Sequence, residues 1–357
     1  MSRIDRASAK LVEFKLDQAV GGSGVAAVDV IIVQLEDAEG AKGLGFSYVL
    51  GGGGGLSFAA TEAQLARFIR GKTPAPPRAT WQNIVRGFNR TGFGPNLVGL
   101  AAIDVAMWDI HARRQGIPLG VAMGGESRLI PVYGSGGFNT QQSSDEAADV
   151  AAAHVSRGMR AVKPRVGGVP KDAQVLSAVK RAVGDGIALM TDANEKCDFV
   201  TARHLMNVAR DHGVLFVEEP LPWSAENAYT LLKGADAVPI AGGEHAQNHS
   251  QLTSMMRNGV LGVVQPDLAM IGGLTPVLDL SVVAEALGVT MSPHFLHGLF
   301  AHIGAASQSV RWLEEFPLLE ALFEGWPALE EGRIAISASP GHGLSLSEKA
   351  IGLLKKA

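Results

Sequence analysis

Cysteine, long apolar runs and excess basic charge are all scarce in this sequence. The 357 residues include one cysteine, Cys197, which cannot form an internal disulfide; this excludes disulfide-stabilised secreted scaffolds and fits a reducing compartment. No apolar run approaches the ~18 residues that a membrane helix needs. The opening residues MSRIDRASAK lack the apolar core of a signal peptide. We therefore expect a soluble, cytoplasmic protein with no membrane partner.

The charge balance is slightly acidic. A formal net charge of -4 lacks the basic excess of a nucleic-acid-binding protein, so we expect no nucleic-acid partner. With 46% hydrophobic and 18% charged residues, the chain can bury a large core, which argues against disorder. A length of 357 residues exceeds one ordinary domain and suits a barrel joined to something smaller.

Residues 1–125 predict an α+β domain. Residues 11–50 alternate between apolar and polar side chains, as the strands of an antiparallel meander do. Helical periodicity follows and stops at Gly116, just before a proline. Asp104 and Asp109 lie within the last helical stretch, and we interpret them as capping or surface contacts.

Residues 126–320 predict a parallel barrel. Eight strand-like runs each end in a polar residue, and these residues recur at an average spacing of about 26, roughly the length of one βα unit. The eight are Ser135, Lys163, Asp192, Glu218, Glu244, Asp267, His294 and Glu314. The carboxyl ends of parallel barrel strands meet on one face, where barrel enzymes carry their active sites. No full-length helix follows the eighth strand, and residues 321–357 are expected to pack back on the first domain.

Three consecutive strand ends, Asp192, Glu218 and Glu244, are carboxylates. Carboxylates that converge on one face repel one another unless a cation lies between them. Because the set offers oxygen ligands and no Cys or His, it favours Mg²⁺ over zinc. Glu219 is an alternative to Glu218 that side-chain alternation alone leaves open, although the even spacing favours Glu218.

Two cationic residues lie beside this predicted metal site. Side chains two residues apart on a strand share a face, so Lys163 and Arg165 point to one side, as do Asp192 and Asn194. A lone Lys-x-Arg is typical of a solvated strand end, but next to three acidic strand ends it indicates a functional cationic pair.

Asp267 and His294 end neighbouring strands and predict an acid–base pair. A carboxylate that binds one imidazole nitrogen orients the ring and raises the basicity of the other nitrogen. His297 is a rival for the same role, but it lies beyond the strand and ranks second.

The motifs RAVKPR, TDAN, VEEP, AGGEH, QPDLAMIGG, MSPH and WLEEF occur in this order. Their order and spacing resemble the enolase superfamily, specifically its mandelate racemase subgroup, over essentially the whole chain. The resemblance implies an α/β fold: a (β/α)7β modified TIM barrel with an N-terminal α+β capping domain completed by the C-terminal segment. It also implies a homo-oligomer that acts on a small-molecule carboxylate.

The resemblance assigns roles to the strand-end residues. It implies that Mg²⁺ is bound by Asp192, Glu218 and Glu244. It implies further that His294 and Asp267 form the catalytic base. Lys163 would then contact the substrate carboxylate, and Glu314 would hydrogen-bond to the same carboxylate as an electrophile.

Arg165 departs from the racemases of the subgroup, which carry a second lysine as a base at this position. A guanidinium keeps its proton at neutral pH, whereas a racemase needs a proton exchanger on each face of the carbanion. A dehydratase needs one base and an acid for the departing hydroxyl, and His294 can serve either step. The sequence therefore favours Mg²⁺-dependent dehydration of an acid sugar, an aldonate or aldarate, to a 2-keto-3-deoxy acid.

Two alternatives to the dehydratase stay open. One is a racemase or epimerase of an α-hydroxy acid that works through Arg165, since some mannonate dehydratases of the superfamily use an arginine near this position together with a tyrosine. The other is a non-catalytic metal- and carboxylate-binding homologue. Arg165 can also act as a second carboxylate clamp.

Substrate contacts are predicted around the same face. The capping loops that close over the substrate in this subgroup, here residues 17–24 and 48–56, are nearly free of cationic groups, which favours a monoacid sugar. The five-glycine run in the second loop lacks the Lys-Ser/Thr of a phosphate-binding loop and predicts a flexible loop. Further candidate substrate contacts are Ser135, Asn194 and His245. The sequence leaves open whether the His245 side chain reaches a substrate hydroxyl or faces the barrel wall.

Overall fold

An antiparallel sheet with helices comes first in the chain, followed by a parallel barrel and a short tail. The computed structural model describes residues 2–20, 24–234 and 238–356. Of the predicted loop at residues 17–24, residues 21–23 lie outside this described part. Among the described residues, no helix combines the length and the apolar character needed to cross a membrane.

The N-terminal sheet contains β1 (Ile4–Val20), β2 (Val25–Asp37) and β3 (Lys42–Leu50). Its order is β1-β2-β3, and both pairings are antiparallel, which confirms the predicted meander. The second turn is stabilised by Asp37, whose carboxylate accepts the backbone N–H groups of Glu39 and Ala41. Apolar side chains fill both faces of β2: one face joins the core shared with the barrel, and the other joins a core formed with the helices that follow.

Four helices complete this N-terminal unit, which we call the cap. They are α1 (Gly55–Gln64), α2 (Pro77–Val85), α3 (Gly94–Gln115) and α4 (Leu119–Ala122), with a π-helical turn at Leu65–Ile69 and a 3-10 turn at Arg86–Arg90. α3 ends at Gly116, whose left-handed φ of 68° favours glycine, as predicted. α3 also lies directly on β3, because a Cβ at Gly45 would stand 2.1 Å from the carbonyl oxygen of Ala102.

The barrel has eight strand positions, and neighbouring strands pair in parallel. They are β4 (Ile130–Gly134), β5 (Ala161–Val162), β6 (Ala188–Leu189), β7 (Thr191–Asp192), β8 (Val217–Glu218), β9 (Ile240–Gly242), β10 (Val263–Val264), β11 (Thr290–Met291) and β12 (Leu313–Glu315). β6 and β7 are two halves of one strand. The ring closes where β12 pairs with β4 and where Met291 bridges to Val310.

Helices follow the first seven strand positions. They are α5 (Ser144–Ser156), α6 (Asp172–Val183), α7 (Phe199–Asp211), α8 (Glu226–Leu232), α9 (His249–Arg257), α10 (Leu268–Ile271), α11 (Leu274–Leu287) and α12 (His297–Ala306). α5 begins with a capping box in which Ser143 and Glu146 satisfy each other's backbone N–H groups. Along the described residues, β12 is followed by the 3-10 turn Glu320–Leu322 in place of a full helix, so the (β/α)7β prediction is confirmed.

The tail connects the barrel to the cap. It contains β13 (Phe323–Glu324), β14 (Arg333–Ile334), β15 (Ser345–Leu346) and α13 (Glu348–Leu354). β13 pairs with β15, and β14 pairs antiparallel with β4 of the barrel. His342, just before β15, donates from Nε2 to the carbonyl oxygen of Leu44 in β3 at 2.8 Å.

Asp104 and Asp109 of α3 are buried, so their interpretation as surface contacts is wrong, whereas the capping alternative holds for Asp104, which bonds a backbone N–H in the first turn of α11. Their exposed fractions are 2% and 0%. Asp104 accepts hydrogen bonds from the backbone N–H and the hydroxyl of Thr275 in α11. Asp109 accepts the backbone N–H groups of Leu44 and His342. Each carboxylate therefore ties α3 to a different part of the molecule, which the periodicity of a single helix does not reveal.

Candidate active site

Seven of the eight predicted strand-end residues end or follow barrel strands at the carboxyl side of the ring, and Glu314 is the middle residue of β12. All of the eight except Glu244 are buried, and the Glu244 side chain is 12% exposed. The structure brings them into three connected groups, around Lys163, around Arg165 and around His294. Ser135 lies nearby at the end of the first strand, with a buried hydroxyl that has no partner among the described residues.

The Lys163 ammonium lies at the centre of the site. Its Nζ is 2.6 Å from Oε2 of Glu218 and 2.8 Å from Oε1 of Glu314. Oδ2 of Asp192 is 3.6 Å away. Burial favours the neutral amine, but the Glu218 and Glu314 carboxylates outweigh burial and hold the pKa of Lys163 above its ordinary value. A fully buried cation is thus fixed beside the strand-end carboxylates.

Arg165 lies on the same side as Lys163, as the two-residue spacing predicts. Its Nη1 donates to Oδ2 of Asp192 and, at 2.9 Å, to Oδ1 of Asn194. Asn194 has a left-handed φ of 43° and donates its backbone N–H to Asp192 at 2.8 Å. The Nε atom of Arg165 is buried without a partner among the described residues, which leaves one donor of the guanidinium for a ligand.

The carboxylates of Asp192, Glu218 and Glu244 are of the ligand type that suits a hard divalent cation. Oε1 of Glu218 is buried and has no hydrogen-bond partner in the described part of the chain, so one lone-pair donor is free. The set offers carboxylate oxygens, which Mg²⁺ prefers. Burial raises the pKa of Glu244 to about 8, as expected of a buried carboxylate with incomplete counter-charge.

A second group of ligand-type side chains lies next to this set. Glu195, Glu219 and His245 place their ligand atoms within 4.8 Å of one another, whereas the predicted three do not form such a group among the described residues. In the predicted set, Lys163 holds an oxygen of Glu218, and this ion pair competes with a shared cation.

The structure separates the roles of Glu218 and Glu219. Glu218 Oε2 accepts hydrogen bonds from Lys163 and from the side-chain amide of Gln265, inside the barrel. Glu219, with a left-handed φ of 36°, is bound instead by Nδ1 of His245 at 2.9 Å. His245 therefore points to Glu219, a partner that differs from both alternatives left open by the sequence, a substrate hydroxyl and the barrel wall, and its side chain is 43% exposed.

His294 and Asp267 form a hydrogen-bonded dyad. Nδ1 of His294 is 2.9 Å from Oδ2 of Asp267, and Nε2 lies 3.4 Å from Oε2 of Glu244. Burial favours the neutral ring, but Glu244 and Asp267 outweigh burial and raise the pKa of His294 to about 9. The rival His297 begins α12 instead, with Nδ1 3.9 Å from Oε1 of Glu320, and makes no contact with Asp267.

Glu314 faces the interior from β12. Burial alone would raise its pKa, but Lys163, His294 and Arg165 hold the pKa of Glu314 well below its usual range. Its Oε2 accepts the backbone N–H of Phe295 at 3.1 Å. In this structure Glu314 is an acceptor, so its role as a hydrogen-bonding electrophile stays a prediction that requires it to take up a proton.

Two site residues escaped the sequence reasoning. Gln265 donates to Glu218, and its position two residues before Asp267 on one strand was a usable signal. Tyr48 of β3 donates its hydroxyl to Oδ2 of Asp267. No local pattern marks this tyrosine, because it reaches the barrel from a strand 219 residues away in sequence.

Comparisons with known proteins match both parts of the chain. Residues 145–350 match the family described as enolase C-terminal domain-like. Residues 14–124 match the mandelate racemase/muconate lactonizing enzyme N-terminal domain.

Individual relatives share about a quarter of their residues with this chain. The L-talarate/galactarate dehydratase of Salmonella typhimurium is 29% identical, over 90% of this chain and 82% of that protein. The solved structure of an L-talarate dehydratase from Polaromonas sp. JS666, complexed with Mg and L-glucarate, superposes with a TM-score of 0.92 at 27% identity, over 98% of this chain and 97% of that one. The structure of a racemase from Streptomyces coelicolor with bound magnesium gives a TM-score of 0.89 at 26% identity, over 98% of this chain and 99% of that one.

The family matches, the cap-and-barrel fold and the order of the strand-end residues agree with one another. The chain belongs to the enolase superfamily, within its mandelate racemase/muconate lactonizing enzyme group.

Proposed function

We propose that this protein is a Mg²⁺-dependent dehydratase that converts an acid sugar, an aldonate or aldarate, into a 2-keto-3-deoxy acid. The observation that carries the proposal is an asymmetry in the site. His294 is oriented by Asp267 as a base would be, whereas the position two residues after Lys163 holds Arg165, engaged with Asp192. Elimination removes one α-proton and needs one such base.

The carboxylates define where the substrate acid would bind. Asp192, Glu218 and Glu244 would hold Mg²⁺, which when bound supplies positive charge to the substrate carboxylate as the α-proton leaves. Lys163 and Arg165 add donors in a buried setting, where charge stabilises charge more strongly than in water. These donors stabilise the enediolate, which carries two negative charges after the α-proton has left, more than they stabilise the singly charged substrate carboxylate.

His294 moves the protons of the reaction. Its Nε2 takes the α-proton when the ring is neutral: Glu244, whose charge helps to raise the pKa of His294, would be engaged with Mg²⁺, and Asp267 at Nδ1 balances the charge that then develops on the ring. The bond from the β-carbon to its hydroxyl then breaks, and His294 returns the proton so that water leaves. The remaining enol takes up a proton at the third carbon and becomes the 2-keto-3-deoxy acid, with the loss of one water in total.

A monoacid sugar is the substrate class that we propose. The loop at residues 48–56 reads YVLGGGGGL and contains no Lys or Arg, so it offers no cation to a second carboxylate. The name of the Salmonella typhimurium relative refers to diacids, so a substrate screen must cover both classes.

A racemase is the second candidate, and the fold shared with the racemase from Streptomyces coelicolor favours it. It requires Arg165 to exchange a proton on the second face of the carbanion. A non-catalytic binder of Mg²⁺ and carboxylates is a third candidate, which the complete set of His294, Asp267 and Glu314 disfavours.

The test is a screen of monoacid and diacid sugars with Mg²⁺, read as release of a 2-keto product by semicarbazone formation. A chelator control must abolish the signal. Product from any acid sugar supports the dehydratase. Exchange of the α-hydrogen in ²H₂O without a keto product supports the racemase, and ligand binding with neither reaction supports the non-catalytic homologue.

We also propose that the protein is a cytoplasmic homo-oligomer. The oligomer rests on the family, and the reducing location is supported by the single, buried Cys197. Sedimentation of the purified protein measures the oligomeric state directly, and a monomer at micromolar concentration would contradict the proposal.

A further inference from the structure

We infer that Tyr48 is a positioning residue of the His294–Asp267 dyad, through which the cap holds the catalytic base in its working orientation. The inference rests on the proposed function, because it takes His294 to be the base.

Tyr48 completes the hydrogen bonding of the Asp267 carboxylate. Oδ1 of Asp267 accepts the backbone N–H groups of Ala269 and Met270, at 2.9 and 3.0 Å. Oδ2 accepts from His294 and from the Tyr48 hydroxyl. The carboxylate is therefore held by four donors, and Tyr48 is the one that shares Oδ2 with the imidazole.

The Tyr48 hydroxyl is suited to remain a donor. Tyr48 is 4% exposed and Asp267 is 3% exposed, so water does not compete for the bond. Burial, followed by the Asp267 carboxylate, raises the pKa of Tyr48 well above its ordinary value. The hydroxyl thus keeps its proton over the range in which enzymes of this kind are assayed.

The imidazole is held by packing as well as by Asp267. The rings of His294 and Phe295 stack with their centroids 3.6 Å apart, and Tyr48 lies 6.4 Å from the Phe295 ring. Phe295 has a left-handed φ of 56° and donates its N–H to Glu314. Tyr48 therefore contacts both Asp267, which bonds the imidazole of His294, and Phe295, whose ring stacks on that imidazole.

Tyr48 also connects the base to the end of the cap sheet that leads into the five-glycine loop. It lies two residues before the end of β3, which runs into the five-glycine loop. Gly51, Gly52 and Gly53 have positive φ angles, and Gly54 donates its N–H to Asp29 of β2 at 2.9 Å. Because the hydroxyl that bonds Asp267 is carried by β3, the position of the cap sheet and the orientation of the base are linked through this strand.

The decisive variant is Tyr48→Phe, which removes one oxygen and keeps the ring. Losing a hydrogen bond to a charged group is expected to lower kcat by roughly tenfold to a hundredfold with KM little changed, because the dyad acts on the bound substrate. The matched control is Tyr229→Phe, which deletes a buried hydroxyl bonded to the Leu221 carbonyl. The control should change the melting temperature at most and leave kcat intact.

A second readout needs no substrate. In protein with ¹⁵N-labelled histidine, the Nδ1–H signal of His294, assigned with His294→Asn, should move downfield in Tyr48→Phe, because Asp267 loses a competing donor. The signal should stay in place in Tyr229→Phe. An unchanged signal together with unchanged kcat in Tyr48→Phe overturns the inference.

The same variants separate this inference from the proposed function. Turnover that survives in His294→Asn removes His294 as the base, and the proposed mechanism fails whatever Tyr48→Phe does. If His294→Asn is inactive while Tyr48→Phe has normal kinetics and a normal His294 signal, the proposed mechanism is retained. Tyr48 is then not a positioning residue.

Discussion

The carboxylate of Asp104 accepts both the backbone N–H and the hydroxyl of Thr275, at 2.8 and 2.6 Å. The bond joins α3 of the cap to the start of α11. Asp267 lies eight residues before Thr275, and Tyr48 reaches Asp267 from the cap sheet. The cap is thus joined to the barrel by one buried contact at the dyad, through Tyr48, and by another at α11, through Asp104.

The Asp104 contact makes stability depend on pH. Burial raises the pKa of Asp104 from 3.8 to about 7. The folded state therefore binds the carboxyl proton of Asp104 more tightly than the unfolded state does. The resulting contribution to the free energy of unfolding is fully present below pH 3.8 and is lost as the pH rises to 7, at about 1.4 kcal/mol per pH unit between the two values. We predict that Asp104→Asn flattens the stability profile between pH 4 and 7, measured by urea unfolding.

The exposed Asp145 of α5 provides the control for this change. Asp145→Asn should leave the slope of stability against pH close to that of the parent protein. A profile for Asp104→Asn that parallels the parent from pH 4 to 7 would show that Asp104 titrates as an ordinary carboxyl.

Glu218→Gln is predicted to weaken Mg²⁺ binding by roughly a hundredfold, since it removes one charged oxygen ligand from the set. Isothermal titration of Mg²⁺ measures the effect without substrate. Glu219→Gln, the same change one residue later, should bind Mg²⁺ nearly as well as the parent. The reverse ranking would move the metal to the group of Glu195, Glu219 and His245.

His294→Asn is predicted to lower turnover by at least about a hundredfold, because general-base catalysis supplies a factor of this size. The amide preserves a donor toward Asp267 but accepts no proton. His297→Asn is the matched variant and should retain turnover, since His297 faces Glu320. Parallel losses in the two variants would point to a defect in folding, which circular dichroism would reveal.

Arg165→Lys is predicted to introduce proton exchange at the second face of the carbanion. An amine accepts a proton far more readily than a guanidinium does, so α-deuterium in recovered substrate should rise roughly a hundredfold in ²H₂O. The exposed Arg160→Lys variant should show no rise. Exchange in the parent protein equal to that in Arg165→Lys would favour the racemase over the dehydratase.

The strand ends of the site were predictable because barrel geometry is repetitive. Parallel strands joined by helices place their last residues on one face whatever the loops contain, so the spacing of Asp192, Glu218 and His294 was sufficient to predict that they converge. The even spacing of the strand ends favoured Glu218 over Glu219. The direction in which the His245 side chain points could not be predicted from this spacing. It depends on the left-handed backbone at Glu219, which the residue type gives no reason to expect.

Contacts between distant segments were beyond the reach of sequence patterns. In the sequence, the charged residues Asp104 and Asp109 look like residues on the exposed face of a helix. They are buried because α3 lies between the cap sheet and the barrel over most of its length. The bond from Tyr48 to Asp267 likewise requires the docking of the cap, which no periodicity in β3 encodes.

The contact between His342 and Leu44 constrains the order in which the protein can be completed during synthesis. The carbonyl of Leu44 and the carboxylate of Asp109 both lie in the first third of the chain, and both are bonded by His342, which lies fifteen residues before Ala357. The Asp109 carboxylate also accepts hydrogen bonds from Leu44 and Arg113, so it has partners within the first domain, and the bonds from His342 are added only when the tail has been synthesised. Truncation before His342 should therefore remove one attachment of β3 and α3 and make the first domain more vulnerable to proteases, even though every residue of that domain is present.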